Sequence, residues 1–258
     1  MQPEGLDDSP LEPVASLFET ASPPRPTREP FWGYLDLLFV LLLVALGSLL
    51  IIVTATFLVH GDIARLADSP ELVWPTSLGL YVVVYLALRL VIGTRYGAPV
   101  FASLGWRRTS FSLPLAAIGG VLLAFALSGL AYLLHTPKVK TPFDKLADTP
   151  FSFLLLAVTA VAIAPVFEEL FFRGFMQPLF CRTLGIPAGV VVTAIFFGSL
   201  HASEYMQVWQ YVAAVSVVGI VLGSLRVWTK SIIPGIVMHG CFNAVSVMAL
   251  AFSKYLHK

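Results

Sequence analysis

Two adjacent glutamates, Glu168 and Glu169, lie in an otherwise apolar stretch of the sequence, Ala-Pro-Val-Phe-Glu-Glu-Leu-Phe-Phe-Arg. Glu169 precedes Arg173 by four residues, the favourable order for an ion pair on one helix face, and this pair could equally be purely structural. Glu168 has phenylalanines three and four residues further on, so it has no partner in its own helix. A charge in the centre of a spanning helix costs roughly 2.5–3.5 kcal/mol. Glu168 is therefore the first candidate for chemistry, as a base.

Two further polar pairs follow, each with one helical turn between its members. Phe197 and His201 form the first pair, and His239 and Asn243 form the second. Together with Glu168 they offer a carboxylate, two imidazoles and an amide. Such a set suffices for hydrolysis, because it includes a base for water, a group to orient it and donors for an oxyanion. Each His or Asn could instead only join helices by hydrogen bonds, and Phe197 could only pack.

The elements that must position these residues are apolar helices. Of 258 residues, 57% are hydrophobic and 12% are charged, against about 25% charge in an ordinary soluble domain. Seven long stretches lack Asp, Glu, Lys and Arg, and most approach the ~20 residues that a spanning helix needs. They are 37–59, 72–88, 109–137, 149–167, 183–203, 205–225 and 231–253. This pattern predicts an all-α, polytopic transmembrane bundle of about seven helices, with an eighth left open if 109–137 or 149–180 is split.

The depth of Glu168 depends on where its helix ends. Glu168 directly follows the stretch 149–167, whereas His201 lies at the far end of 183–203, too distant to share a water molecule. The two side chains meet only if the helix of Glu168 continues to about Leu179, which would centre Glu168 in the membrane. The pair of Glu169 and Arg173 would allow that helix to carry charge there.

Residues 1–30 differ from the rest, with seven prolines and six acids against two arginines, and are predicted to be a flexible tail before a transmembrane domain over 31–258. No cleavable signal peptide is apparent. Ten Lys and Arg residues fall on the side of the tail and six on the other, which favours a cytoplasmic N-terminus, although the cluster 138–145 weakens the bias. The net charge of +1 and the two cysteines indicate neither nucleic-acid binding nor a disulfide framework.

The motifs, taken in order, resemble those of the CPBP family of intramembrane proteases, which includes the type II CAAX prenyl endopeptidases and the bacteriocin-processing and self-immunity proteins. They are Glu168-Glu169-x-x-x-Arg173, Phe197-x-x-x-His201 and His239-x-x-x-Asn243. Gly174, Pro234 and the string Leu104-Gly105-Trp106-Arg107-Arg108 add to the resemblance, which covers about 100–250.

The resemblance implies a membrane endopeptidase that cleaves a membrane-associated protein or peptide. In such an enzyme Glu168 would activate water with help from His201, while His239 and Asn243 would stabilise the oxyanion. Glu169 and Arg173 would hold the helix and tune the site, with Phe197 in support.

The role of metal is open at this stage. The sequence has no His-Glu-x-x-His zinc signature, yet Glu168, His201 and His239 could supply a His₂Glu set for zinc. A metal-free glutamate mechanism is preferred.

Two other functions compete with peptide cleavage. A proton- or solute-coupled transporter would also need an unpaired glutamate and histidines, but the seven stretches show no paired halves. A binding scaffold that has lost its chemistry is the third hypothesis. All three place the chain in a lipid bilayer as a multi-pass protein, and none involves nucleic acid.

Overall fold

The computed structural model describes residues 30–62, 70–137 and 147–256, together with Val139, Thr141 and Asp144. The fold is 80% helical and has no strand in this part of the chain, which confirms the all-α class. The tail predicted for residues 1–30 falls outside these residues except for Pro30, so the division into tail and domain stays a prediction.

Among the described residues, six helices are long and apolar enough to cross a membrane, and a seventh apolar helix, Ile186–Leu200, is shorter. Neither region that might have contained an eighth crossing is split, since each forms one helical segment. The helices are α1 (Tyr34–Leu58), α2 (Pro70–Leu88, continued by a π-turn over Arg89–Arg95), α3 (Val100–Ser103), α4 (Leu113–Leu133), α5 (Pro150–Leu184), α6 (Ile186–Leu200), α7 (Trp209–Thr229) and α8 (Ile233–Ala251, with a last turn over Phe252–Leu256). A bundle of about seven apolar helices is thereby confirmed.

Helix α5 is the longest segment and carries the glutamate pair at its middle. It runs past the predicted end at Leu179, so the continuation that Glu168 required is confirmed. Two wider π-turns interrupt it, at Thr159–Ile163 and at Glu169–Met176. The first contains the residue four positions before Pro165, and the second contains the residue four positions before Pro178. Since proline has no N–H to close the regular turn, the helix widens at both places instead of ending.

The other helices pack around α5 in two groups. Helix α8 lies between α4 and the first π-turn, while α6 lies between α7 and the last part of α5. Helix α1 packs against α2, and α2 reaches the turn Ala164–Glu168 of α5. The glutamates are consequently surrounded by α2, α6, α7 and α8.

The segment before α1 is fixed to the far end of α5. Trp32 is 2% exposed, its indole stacks on Phe175 at 5.3 Å between ring centroids, and its Nε1 donates to the carbonyl of Phe175 at 3.0 Å. Arg182 donates to the carbonyls of Pro30 and Trp32. These contacts hold the second half of α5, which bears Arg173, against the start of the described chain.

Candidate active site

The predicted ion pair between Glu169 and Arg173 forms inside the bundle. Arg173 Nη1 lies 3.0 Å from Glu169 Oε1, and both side chains are completely buried. Arg173 Nη2 also donates to the carbonyl of Gly219 on α7 at 3.3 Å. One turn further on, Gln177 donates to the carbonyl of Gly223 at 2.9 Å. The second π-turn is therefore fastened to two successive turns of α7.

His239 of α8 lies between the two glutamates. Its Nδ1 is 3.3 Å from Glu169 Oε1, and its Nε2 is 3.7 Å from Glu168 Oε2. The first distance is close to a hydrogen bond, and because a carboxylate can only accept, Nδ1 is the donor there. The Glu168 side chain is 20% exposed, whereas that of Glu169 is fully buried. The partner that Glu168 lacks in its own helix is thus an imidazole from another helix.

Phe197 of α6 is the apolar centre of the site. Its ring is 1% exposed and lies 4.4 Å from the Arg173 guanidinium carbon, a cation–π contact. The same ring contacts the His201 ring at 4.7 Å and the His239 ring at 5.8 Å between centroids. Phe197 thereby contacts the ion pair and both imidazoles, so its ring does more than fill space between helices.

His201 directly follows α6, where the chain turns towards α7. Its Nδ1 lies 2.8 Å from the carbonyl of Phe197. A carbonyl can only accept, so Nδ1 carries the proton and Nε2 is left as the acceptor in the neutral ring. In this tautomer Nε2 can accept a hydrogen bond from a water molecule, which a group that orients water must do.

Asn243 fastens α8 to the first π-turn of α5. Its Nδ2 donates to the carbonyl of Ala160 at 2.7 Å. One turn earlier, a Cβ on Gly240 would come within 2.6 Å of the carbonyl of Val161, so glycine is needed for this close approach. The amide of Asn243 therefore joins two helices by a hydrogen bond, which is the structural role that its sequence position left open.

Two residues that the sequence did not single out for chemistry face Glu168. Tyr81 of α2 stacks on Phe167 at 5.3 Å between centroids and interacts electrostatically with Glu168 and Glu204. Glu204 lies in the connection between α6 and α7, three residues after His201, a position at which a carboxylate is ordinarily solvated. Its side chain is half-buried and interacts with His201 and Glu168.

Burial raises the pKa of the Glu204 carboxyl, with the charge of Glu168 adding to the rise and His201 opposing it. Burial also raises the pKa of the neighbouring Tyr205 to about 12, with the charge of Glu204 contributing. Negative charge is therefore disfavoured on both of these side chains. The burial of Glu204 depends on how the helices pack, so the sequence alone does not distinguish this residue from an ordinary surface acid.

The three side chains that could have bound zinc do not form a ligand set. Among the described residues, no group of three His, Cys, Asp or Glu side chains is placed to hold a metal ion. Nδ1 of His201 is engaged by a backbone carbonyl, and both nitrogens of His239 face carboxylates. No chemical step below is assigned to a metal.

Seven apolar helices enclosing a carboxylate, an ion pair and two imidazoles define a multi-pass membrane protein with a polar site in its bundle. A family model described as "Type II CAAX prenyl endopeptidase Rce1-like" matches residues 150–245. The match supports the family that the motifs indicated, and its range contains every residue predicted for the site. It supports an intramembrane endopeptidase of the CAAX-protease type in general. No curated protein and no solved structure matches the chain.

Proposed function

We propose that this protein is an intramembrane endopeptidase that hydrolyses a peptide bond by means of a water molecule activated by Glu168. The observation that carries the proposal is the carboxylate pair bridged by His239, inside the segment that matches an endopeptidase family. Glu168 is the partly accessible member of this pair, so it is the one that can reach water.

The other residues take their roles from their positions. Glu168 accepts the proton of the attacking water, and His201, with Nε2 as its acceptor, orients that water. With a proton on each ring nitrogen, His239 donates from Nε2 towards the oxyanion while its Nδ1 stays on Glu169, and the remaining N–H of Asn243 is the second donor. Glu169 and Arg173 hold the second π-turn against α7, which fixes the direction in which Glu168 points. Each proton removed from water can be returned to the leaving amine by the same carboxyl group.

The substrate is proposed to carry a large apolar group. An apolar cavity of about 580 Å³ lies beside α5. Some of its lining residues are direct or near neighbours of the glutamates in sequence. Its lining residues come from α2, the α3 region and α5, and they are Tyr85, Phe101, Trp106, Val166, Phe167 and Leu170. A prenylated CAAX tail is one suitable substrate, and an apolar leader peptide is another. Either substrate is a membrane-associated chain, and the N-terminus of the protease is proposed to be cytoplasmic.

The test is cleavage of two quenched fluorescent peptides by the purified protein in detergent. One peptide ends in a farnesylated CAAX sequence, and the other has the same sequence without the lipid. Because an amide cannot accept a proton from water, Glu168→Gln should lower kcat by about 10²–10⁴-fold. The thermal midpoint should stay at or slightly above the wild-type value, since a desolvated charge is removed. The farnesylated peptide should have the lower KM.

Full activity in Glu168→Gln would contradict the role of the base, and absence of cleavage by the wild type would favour the transporter or the silent scaffold. Chelation tests the metal alternative separately. Activity that survives dialysis against EDTA agrees with the metal-free mechanism, whereas activity lost and then restored by zinc alone would replace it.

A further inference from the structure

Tyr81 is fixed beside the site by its ring. The phenol ring stacks on Phe167 with 5.3 Å between centroids and 23° between planes. Phe167 directly precedes Glu168, and α2 packs against the turn of α5 that contains both residues. A hydroxyl on a ring held in this way has a defined position relative to Glu168.

Tyr81 interacts electrostatically with two carboxylates from other parts of the fold. Its interaction with both Glu168 and Glu204 connects α2, the middle of α5 and the connection after α6. Phe167, on which Tyr81 stacks, also lines the apolar cavity. A substrate with its apolar group in the cavity and its scissile bond at Glu168 would lie along Phe167 and so come close to Tyr81.

The site also has fewer donors than the sequence implied. One N–H of Asn243 is taken by the carbonyl of Ala160, and Nδ1 of His239 is directed at Glu169. Oxyanion stabilisation requires donors that point at the developing charge in the transition state. A phenol O–H is a good donor and is protonated at neutral pH.

We propose that Tyr81 is a further catalytic residue, whose hydroxyl donates a hydrogen bond to the carbonyl oxygen of the scissile peptide. When water adds to the carbonyl carbon, its proton passes to Glu168, and the carbonyl electron pair moves onto the oxygen that Tyr81 binds. When the C–N bond breaks, that electron pair re-forms the carbonyl, and the amine leaves with the proton from Glu168. This inference rests on the proposed function and adds to it a donor from α2.

The experiment compares Tyr81→Phe with Tyr132→Phe in the full-length protein, using the farnesylated peptide as the probe. Tyr81→Phe keeps the ring that stacks on Phe167, so its thermal midpoint should match that of the wild type. Loss of one oxyanion donor lowers kcat by about 10²–10³-fold, with KM changed by less than about threefold. Tyr132 of α4 is 82% exposed, so the same change there should leave kcat unaltered.

The possible results separate this inference from the proposed function. If Glu168→Gln is inactive and Tyr81→Phe turns over like the wild type, the hydroxyl is dispensable and this inference alone is wrong. A rise in KM with kcat unchanged would also overturn it, since it would show ground-state binding only. If the wild type cleaves neither peptide, or if Glu168→Gln cleaves as well as the wild type, the proposed function falls and the role of Tyr81 falls with it.

Discussion

Two acid–arginine pairs of nearly equal length occur in very different surroundings. Asp36 Oδ1 and Arg95 Nη1 are 2.9 Å apart, close to the 3.0 Å of Glu169 and Arg173. The Arg95 side chain is 58% exposed, whereas the second pair has no exposure at all. The difference shows that distance alone does not reveal what an ion pair does in this fold.

The outer pair is a structural connection at the start of α1. Asp36 Oδ2 accepts hydrogen bonds from the backbone N–H of Gly33 at 2.9 Å and from the Tyr96 hydroxyl at 2.7 Å. Burial and the hydrogen bond to Asp36 raise the pKa of Tyr96, so this phenol stays protonated and remains a donor. Asp36 therefore caps α1 and ties it to the end of α2.

The inner pair leaves polar atoms without partners. Glu169 Oε2 and Arg173 Nε make no hydrogen bond to any described residue. A buried pair whose hydrogen bonds are incomplete is a poor source of stability, because desolvation offsets most of the attraction. Its position is explained better by its contacts, since Glu169 holds His239 and Arg173 holds α7. We infer that this pair is present to order the site.

The largest effect on stability is expected for Glu169→Gln. It leaves the buried guanidinium of Arg173 without a counter-ion, and breaking a buried pair on one side costs about 3–5 kcal/mol. The measurement is the thermal midpoint and the expression level in the same detergent as the wild type. Glu168→Gln is the matched control, because it makes the same change one residue away and should not lower the midpoint. A stable but inactive Glu169→Gln would reverse the roles of the two glutamates.

A much smaller loss is expected for Asp36→Asn. The amide still offers an oxygen to Gly33 and Tyr96, and only the attraction to the exposed Arg95 is removed. Such a pair is worth up to about 1 kcal/mol, less at high salt. Unfolding by heat at low and at high salt measures this contribution. A loss as large as that of Glu169→Gln would show that exposure does not separate the two pairs.

Local spacing predicted the parts of the site that lie on single helices. The pairing of Glu169 with Arg173 and the placing of Phe197 beside His201 follow from a four-residue interval, which puts two side chains on one helix face. The continuous helix through Glu168 was also predicted, since Glu168 and His201 could share a water molecule only if that helix continued to about Leu179. These features need no knowledge of how the helices pack.

Contacts between helices could not be predicted in the same way. Nothing in the sequence of α8 says that His239 faces both glutamates, or that the amide of Asn243 is used by Ala160. Tyr81 was missed because one tyrosine in an apolar stretch is unremarkable until α2 packs beside Phe167. The widened turns of α5 follow from two prolines, but the glycine of α8 that fits against the first of them is recognised only when the helices meet.

Glu204 extends the comparison to a carboxylate that pairs with no arginine among the described residues. Its replacement should give the smallest effect, confined to part of the pH range. It lies outside the spanning helices and is faced by His201, Glu168 and Tyr205. Since burial raises its pKa in the folded state, its stabilising contribution is complete below the ordinary value of 4.5 and is lost as the pH rises through the raised value. Glu204→Gln should therefore have a higher thermal midpoint than the wild type at neutral and alkaline pH, with the difference vanishing towards pH 4.5 and below.

Glu204→Asp, which keeps the charge, should retain the wild-type dependence on pH. A difference between Glu204→Gln and the wild type that is the same at every pH would mean that the carboxyl acts by packing and not by charge, and the third carboxylate would then resemble neither arginine pair.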